Sequence, residues 1–306
     1  MTKTKKRKET AFEMTIRHLR IFIAVHDSRS MTAAANQLFM TQPSVSQAIK
    51  EMETYYSVVL FERLSHKLFI TEAGKRLYQY AIHITKLFNE MEESLKESVA
   101  HKKLAIGANY TVGSALIDRY IQRFNELYPD AEIRVYINKA SVLTEMLRSN
   151  ELDLALMEEN NQPDLKKEVF CDDRIVIVAD PQHPLSAKVP ITAADLANER
   201  LLLREKGAGV RNLFDSRMHH IGLSVQPYWE GTSTTALINA AKNRLGIAVL
   251  PFQLVRDQIA SGFLKELRIE DMDLSRKLAI FYHKNKFLTD AIKEFIAICR
   301  AFSGPS

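Results

Sequence analysis

The sequence predicts a chain of two folding units: a small N-terminal all-α head with a hairpin, prolonged by one long helix, and a larger C-terminal α/β unit of two lobes. Three observations predict it. Apolar residues recur at helical spacing through most of the first hundred positions. From Lys102 the pattern changes to alternating strands and helices. The length, 306 residues, exceeds what one small core organises.

In the head, Ile16, Leu19, Phe22 and Ile23 mark a first helix, which Asp27-Ser28-Arg29-Ser30 ends. Thr32–Leu38 fits a second, with Thr32 or Ser30 as its cap and three alanines that permit close helix approach. Phe39-Met40-Thr41 is a tight connection. Thr41 caps a third helix, and Pro43 sits where its missing N–H costs nothing. Leu60–Arg63 and Leu68–Ile70 flank Leu64-Ser65-His66-Lys67 as a hairpin. Thr71-Glu72 then starts a helix reaching about Val99, with an apolar stripe of Leu77, Ala81, Ile84, Leu87 or Phe88, Met91 and Leu95. So narrow a stripe on so long a helix asks for a partner, most simply a second copy.

Beyond it, strands at Leu104–Ala108, Ile133–Ile137 and Asp153–Met157 alternate with helices through Phe124 and over Ser141–Ser149, which argues for a parallel, doubly wound sheet. Glu158–Leu165 reads as a crossover into a second lobe with strands at Val169–Cys171, Ile175–Ala179, Leu201–Leu203, Val225–Trp229 and Ile247–Leu250. Helices are expected at Val210–His220 and Ser233–Arg244, and Asp172-Asp173 as a turn. After Phe263–Leu267 the chain returns with a strand at Lys277–Tyr282 and a last helix at Leu288–Phe302. The expected organisation is a basic, disordered tail (1–14), the head (15–73), a linker helix that dimerises (74–100), and the C-terminal unit (101–306). Its first lobe takes about 101–162 and 270–306, the second about 163–269. Two crossovers leave a cleft between them.

Composition excludes several classes. No run of about 18 apolar residues is present to span a bilayer, and no apolar stretch follows Lys3–Lys8 as an export core. Cys171 and Cys299 form no disulfide framework and no zinc spacing, which suits a reducing cytosol. The net charge of +5 is uneven: residues 1–100 carry 15 Lys/Arg against 11 Asp/Glu, while the remainder is nearly balanced. A polyanion is the expected partner of the first third.

The chemistry concentrates in Ala34-Ala35-x-x-Leu38-x-x-Thr41-Gln42-Pro43-Ser44-Val45-Ser46-x-x-Ile49-x-x-Met52-Glu53, followed by Leu60-Phe61-x-Arg63 and Thr71-Glu72-Ala73-Gly74. A short helix, a tight turn and a capped helix with a small polar outer face suit the DNA major groove, whose edges are read by amides, hydroxyls and cations. Gln42, Ser44, Ser46, Gln47 and Lys50 supply these, with Pro43 beside them and Thr32 on the preceding helix. Arg63, His66 and Lys67 on the hairpin are placed to meet phosphates. At these residues the head resembles the winged helix-turn-helix of LysR-type transcriptional regulators, densely over about 60 residues and loosely over the whole chain. The resemblance puts base and backbone contacts on Gln42, Pro43, Ser44, Ser46 and Gln47, with Arg63 near the wing. Gln47 stands where the family often has Arg, and Tyr56-Ser57 where it usually has Leu-Gly.

A second group is four helix starts that converge if the lobes face each other: Asn109-Tyr110-Thr111, Ala140-Ser141, Arg204 through Gly207 to Gly209, and Gly231-Thr232-Ser233. Unpaired N–H groups and the positive end of the helix dipole favour an anion there. The LysR resemblance implies a periplasmic-binding-protein-like effector domain with a ligand in this cleft, and Leu203–Gly209 resembles a branch linked to sulfur metabolism. The expected effector is a small anion or carboxylate contacted by Thr111, Ser141, Gly209 and Thr232.

Other motifs carry less. His219-His220 reads as a solvated pair rather than a metal site, and Gly207-Ala208-Gly209 lacks the Lys-Ser/Thr of a P-loop. No cofactor, metal or catalytic constellation is expected. The reading is therefore a cytoplasmic regulator with double-stranded DNA (an inverted-repeat operator), a small effector, RNA polymerase and further copies of itself, as homodimer or homotetramer, for partners. A ligand-binding protein without DNA, or an enzyme working in the cleft, are the rival classes, and gel shifts separate them.

Overall fold

The computed structural model describes residues 13–64, 67–96 and 103–302, so the expected tail lies almost wholly outside the described residues. The chain divides into two compact units, Met1–Ala100 and His101–Ser306.

In the first unit, α1 (Ile16–Ser28), α2 (Met31–Gln37) and α3 (Gln42–Tyr56) precede an antiparallel pair, β1 (Phe61–Leu64) and β2 (Lys67–Ile70), and then α4 (Glu72–Lys96). Ser30, not Thr32, caps α2: its Oγ accepts from the Ala33 N–H at 3.2 Å. Left-handed residues stop α1 at Arg29 and α3 at Ser57, both at φ 52°. Ser57 thus adopts the conformation that glycine would take more easily, and the turn after α3 survives without one. Phe22, Val25, Ala34, Val45, Ile49, Met52 and Leu60 form the buried core. Each large side chain removed from water there contributes roughly 1.5–3 kcal/mol.

Glu53 ties the wing to α3. Its Oε1 accepts from the N–H groups of Leu60 and Phe61, at 2.8 and 3.3 Å. Thr71 joins the wing to α4, its hydroxyl donating to the Val59 carbonyl at 2.6 Å and accepting from the Gly74 N–H at 3.1 Å. A side chain at Gly74 would collide with the Leu60 carbonyl and Ile70. Helix α4 lies antiparallel to α1, held by Arg20 donating to Asn89 (2.7 Å) and the Tyr78 hydroxyl donating to Asp27 (2.7 Å). The single apolar stripe expected on this helix is therefore two. Leu77 and Ala81 face the unit's own core, while Tyr80, Ile84, Leu87 and Met91, spaced four, three and four, are exposed. Leu95 has a side chain outside the described residues.

The second unit opens with β3 (Lys103–Ala108), α5 (Tyr110–Ala115), α6 (Ile117–Leu127), β4 (Glu132–Ile137), α7 (Ala140–Arg148) and β5 (Leu154–Glu158), with β3 parallel to both β4 and β5. A 15-residue strand, β6 (Leu165–Ala179), then runs into the second lobe. There stand α8 (Ala193–Leu196), β7 (Leu201–Arg204), α9 (Gly209–His220), β8 (Pro227–Gly231), α10 (Thr234–Lys242), β9 (Ile247–Pro251), α11 (Phe252–Ala260) and β10 (Lys265–Leu267). The return is β11 (Ser275–His283), followed by α12 (Asp290–Ala301). The strand order is β4-β3-β5-β11-β6-β9-β7-β8, with β10 on β6.

The parallel pairing expected of the first three strands is present, β3 lying between β4 and β5, but the sheet they belong to is mixed: β11 runs antiparallel to β5 and β6, and β6 antiparallel to β9 and β10. A chain that enters a second lobe and comes back beside its outward path must reverse direction. Asp172-Asp173 is not the expected turn; it lies inside β6, which joins the two short strands expected on either side. Helix α11 was not anticipated.

Strand β6 serves two cores. Phe170 of β6 and Leu278 and Ile280 of β11 pack with Ile106, Phe124, Leu156 and Phe295 in the first lobe. Ile175 and Ile177 of the same β6 pack with Leu203, Phe214 and Val249 in the second. At the passage between them Asp173 and Arg276 are register partners, and the Arg276 Nε donates to Asp173 Oδ2 at 2.7 Å. Their side chains are 0% and 8% exposed.

Removing one member of a buried ion pair strands the other charge, at a cost of about 3–5 kcal/mol. Arg276→Met should lose that much in denaturant unfolding read at Trp229, and adding Asp173→Asn should recover part of it. Truncating Glu53 to Ala leaves two backbone donors of the wing without their acceptor and should cost about 1–3 kcal/mol in thermal unfolding, with Gln losing less.

Candidate functional site

Helix α3 separates its faces sharply. Val45, Ala48, Ile49 and Met52 are buried; Pro43, Ser44, Gln47 and Lys50 are exposed, and Gln42 and Ser46 are half-buried. The burial of one face fixes which side chains the other can offer. Thr41 occupies the cap position in extended backbone, but its hydroxyl shares a 2.8 Å hydrogen bond with the Ser44 hydroxyl instead of capping a backbone N–H. The first-turn N–H groups therefore face outward with the positive end of the dipole. Gln47 donates to Glu51 at 2.9 Å, which holds its amide along the helix. Thr32 is exposed in the first turn of α2. Arg63 and Lys67 fall on β1 and β2, but their side chains, and His66 altogether, lie outside the described residues.

The second candidate is the cleft between the lobes of the C-terminal unit, a cavity of about 30 Å³. Asn109, Tyr110, Thr111, Arg204, Gly207 and Gly209 line it together, as the sequence suggested. Ser141, Thr232 and Ser233 do not line it. Ser233 instead caps α10, its Oγ accepting from the Ala236 N–H at 3.2 Å. Asn109 likewise caps α5 through its Oδ1, accepting from the Val112 N–H at 2.9 Å.

Sequence reasoning missed Lys139, Glu158 and Arg276, which also line the cleft. Lys139 adjoins the anticipated helix start at Ala140, and Glu158 ends a strand, so position along the chain offered a hint for both. Arg276 had none, because its partner is a hundred residues away.

The cations here are already engaged. Arg204, 3% exposed, donates from Nε and one terminal nitrogen to the Glu205 carboxylate, at 2.8 and 3.2 Å, and from the other to the Thr234 hydroxyl at 3.1 Å. Its guanidinium lies 5.2 Å from the centre of the Tyr110 ring, across the cleft. Lys139 reaches Glu205 from the other lobe at 3.5 Å. Burial disfavours ionised Glu205, but the hydrogen bonds from Arg204 and the charge of Lys139 outweigh it and hold the carboxyl below its ordinary value. Arg276 donates to Thr111 at 3.0 Å besides pairing with Asp173, whose Oδ1 is buried with no hydrogen-bond partner among the described residues. Arg211, also buried, donates to the Arg204 carbonyl at 3.1 Å and to Glu230 at 2.9 Å, bracing the strand end that carries Arg204.

Comparison with known proteins bears on both sites. Residues 16–75 match the family described as bacterial regulatory helix-turn-helix protein, lysR family, and residues 98–303 match the LysR substrate binding domain. The RuBisCO operon transcriptional regulator of Allochromatium vinosum is 30% identical over 285 residues, covering 92% of this chain and 94% of that protein. CysL, an HTH-type transcriptional regulator of Bacillus subtilis, is 31% identical over 270 residues, 86% and 89% of the two chains. Among solved structures, full-length OxyR from Pseudomonas aeruginosa superposes with a TM-score of 0.67 at 22% identity, over 94% of this chain and 98% of that one. The CcmR regulatory domain of Synechocystis, in complex with 2-PG, gives 0.62 at 25% identity over 66% of this chain and 97% of its own. An N-terminal helix-turn-helix unit, a C-terminal two-lobed unit and these matches over nearly the full length make one conclusion: the chain belongs to the LysR family of DNA-binding transcriptional regulators.

Proposed function

We propose that α3 reads an operator through Gln42, Pro43, Ser44, Ser46, Gln47 and Lys50, while Thr32, Arg63, His66 and Lys67 meet the flanking phosphates. The observation that carries this is the division of α3, with an apolar face sunk in the head and amides, hydroxyls and one cation on the face left over. Two copies pair through the exposed Tyr80, Ile84, Leu87 and Met91 stripe of α4, so that the operator is an inverted repeat. Further association to a tetramer, contact with RNA polymerase and a cytoplasmic location complete the assignment.

A small anion or carboxylate in the cleft, held by groups among Asn109, Tyr110, Thr111, Arg204, Gly207 and Gly209, modulates DNA binding or activation. Buried arginines and helix starts on both walls support it, as does the 2-PG bound by the CcmR domain. The cavity of about 30 Å³ has room for little more than a water or two, so a larger effector requires the lobes to part. β6 and β11 are the strands about which they part, and the effector must favour one arrangement over the other.

Fluorescence anisotropy with the DNA upstream of the chain's own gene tests the reading head. Gln42→Ala and Ser46→Ala should each weaken specific binding by about ten- to a hundredfold, corresponding to roughly 1–3 kcal/mol per lost base contact, with non-specific binding unchanged. Lys67→Ala should weaken both alike and flatten the salt dependence by about one counterion. Equal specific affinity in all three variants would contradict the assignment.

A further inference from the structure

The charges of the cleft carry one step further, resting on the reading of an anion held there. Lys139 and Arg204 face Glu205, and Arg276 faces Asp173. Glu158 is different. It ends β5 on the first lobe and lines the cavity, yet it forms no ion pair among the described residues. Its Oε2 accepts a hydrogen bond from the Asn109 amide. Its Oε1 lies against Gly209, in the first turn of α9 on the opposite lobe, so closely that a side chain at Gly209 would run into it. No donor among the described residues satisfies that oxygen. An anion entering here meets a carboxylate with an open acceptor.

We propose that Glu158 makes the cleft selective for anions that carry their own O–H or N–H donor, such as a protonated oxyanion or a hydroxy- or amino-carboxylate. The same carboxylate excludes donor-free anions of equal size and shape. The physics is one-sided. A donor-bearing anion gives its hydrogen to Oε1 while the helix start and the arginines hold its charge. A fully deprotonated, donor-free anion places lone pairs and negative charge against lone pairs and negative charge, in a cleft with room for little more than a water or two. Two sequence features serve the arrangement. Gly209 leaves room for the carboxylate against α9, and Asn109 orients it through the amide nitrogen while its own oxygen caps α5.

Inorganic phosphate and sulfate share a shape, but phosphate keeps a proton at neutral pH and sulfate does not. Glycolate and acetate differ likewise by one hydroxyl. Calorimetric titrations of the full chain at pH 7.5 or so with these four probes should show phosphate preferred to sulfate, and glycolate to acetate, by about tenfold or more. In Glu158→Gln, whose amide can donate to a donor-free anion, sulfate and acetate should gain affinity until each pair lies within about threefold. Wild-type chain that takes sulfate as tightly as phosphate overturns the inference and leaves the anion reading intact. A preference that persists in the Gln variant also overturns it. No binding of any probe by either chain overturns the anion reading and the inference with it. If the variant does not fold, the wild-type titrations still decide.

Discussion

The two antiparallel strands β6 and β11 are the constraint on which the C-terminal unit depends. Strand β6 runs from one lobe into the other and belongs to a hydrophobic core in each, while β11 lies along its first-lobe part and packs there. Between the two cores β6 and β11 pass the cleft, which Arg276 lines. There the chain places a salt bridge, Asp173 with Arg276, at adjacent register positions. A buried charge needs a partner with a geometry close to ideal, which makes the crossing position specific rather than slack. From that point Arg276 extends to Thr111, and through it the joint between lobes touches the cleft. A ligand that disturbs the cleft thereby acts beside the joint between the lobes.

The head obeys a different constraint. A helix that meets DNA must be held rigidly on its other side, since a base contact misplaced by a fraction of an ångström is lost. Val45, Ile49 and Met52 anchor α3 in the core, and Glu53, one position on, fastens the wing to the same helix. The outer face of α3 and the wing are thus positioned from the same helix. The wing leads through Thr71 directly into α4, whose inner face packs on α1 and whose outer face is left open. The proposed pairing through that face would set the separation of two α3 helices without any new contact in the head.

Local features were legible and distant ones were not. Thr41, Pro43 and the alanines before them announce the helix-turn-helix, because capping and close approach are decided within a few residues. That Asn109, Arg204 and Gly209 line one cavity was legible for the same reason: the starts of helices leave a signature. Asp172-Asp173 was misread, since two carboxylates in a strand look like a turn until Arg276, from the other end of the unit, supplies the charge that permits burial. Glu158 and Lys139 escaped notice because their significance arises only when the lobes face each other. Ser233 shows the converse, in that a hydroxyl at a helix start is as readily used by its own backbone as by a ligand, and the adjacent Thr234 is the one that Arg204 reaches.

The central claim is that paired α3 helices enter the major groove of one DNA duplex. Hydroxyl-radical footprinting of a bound upstream site tests it most directly. The account predicts two protected patches related by a dyad, their centres about one helical turn (~10 base pairs) or a whole multiple apart, over an inverted repeat. A single protected patch without a dyad, or uniform protection that does not depend on sequence, would contradict it.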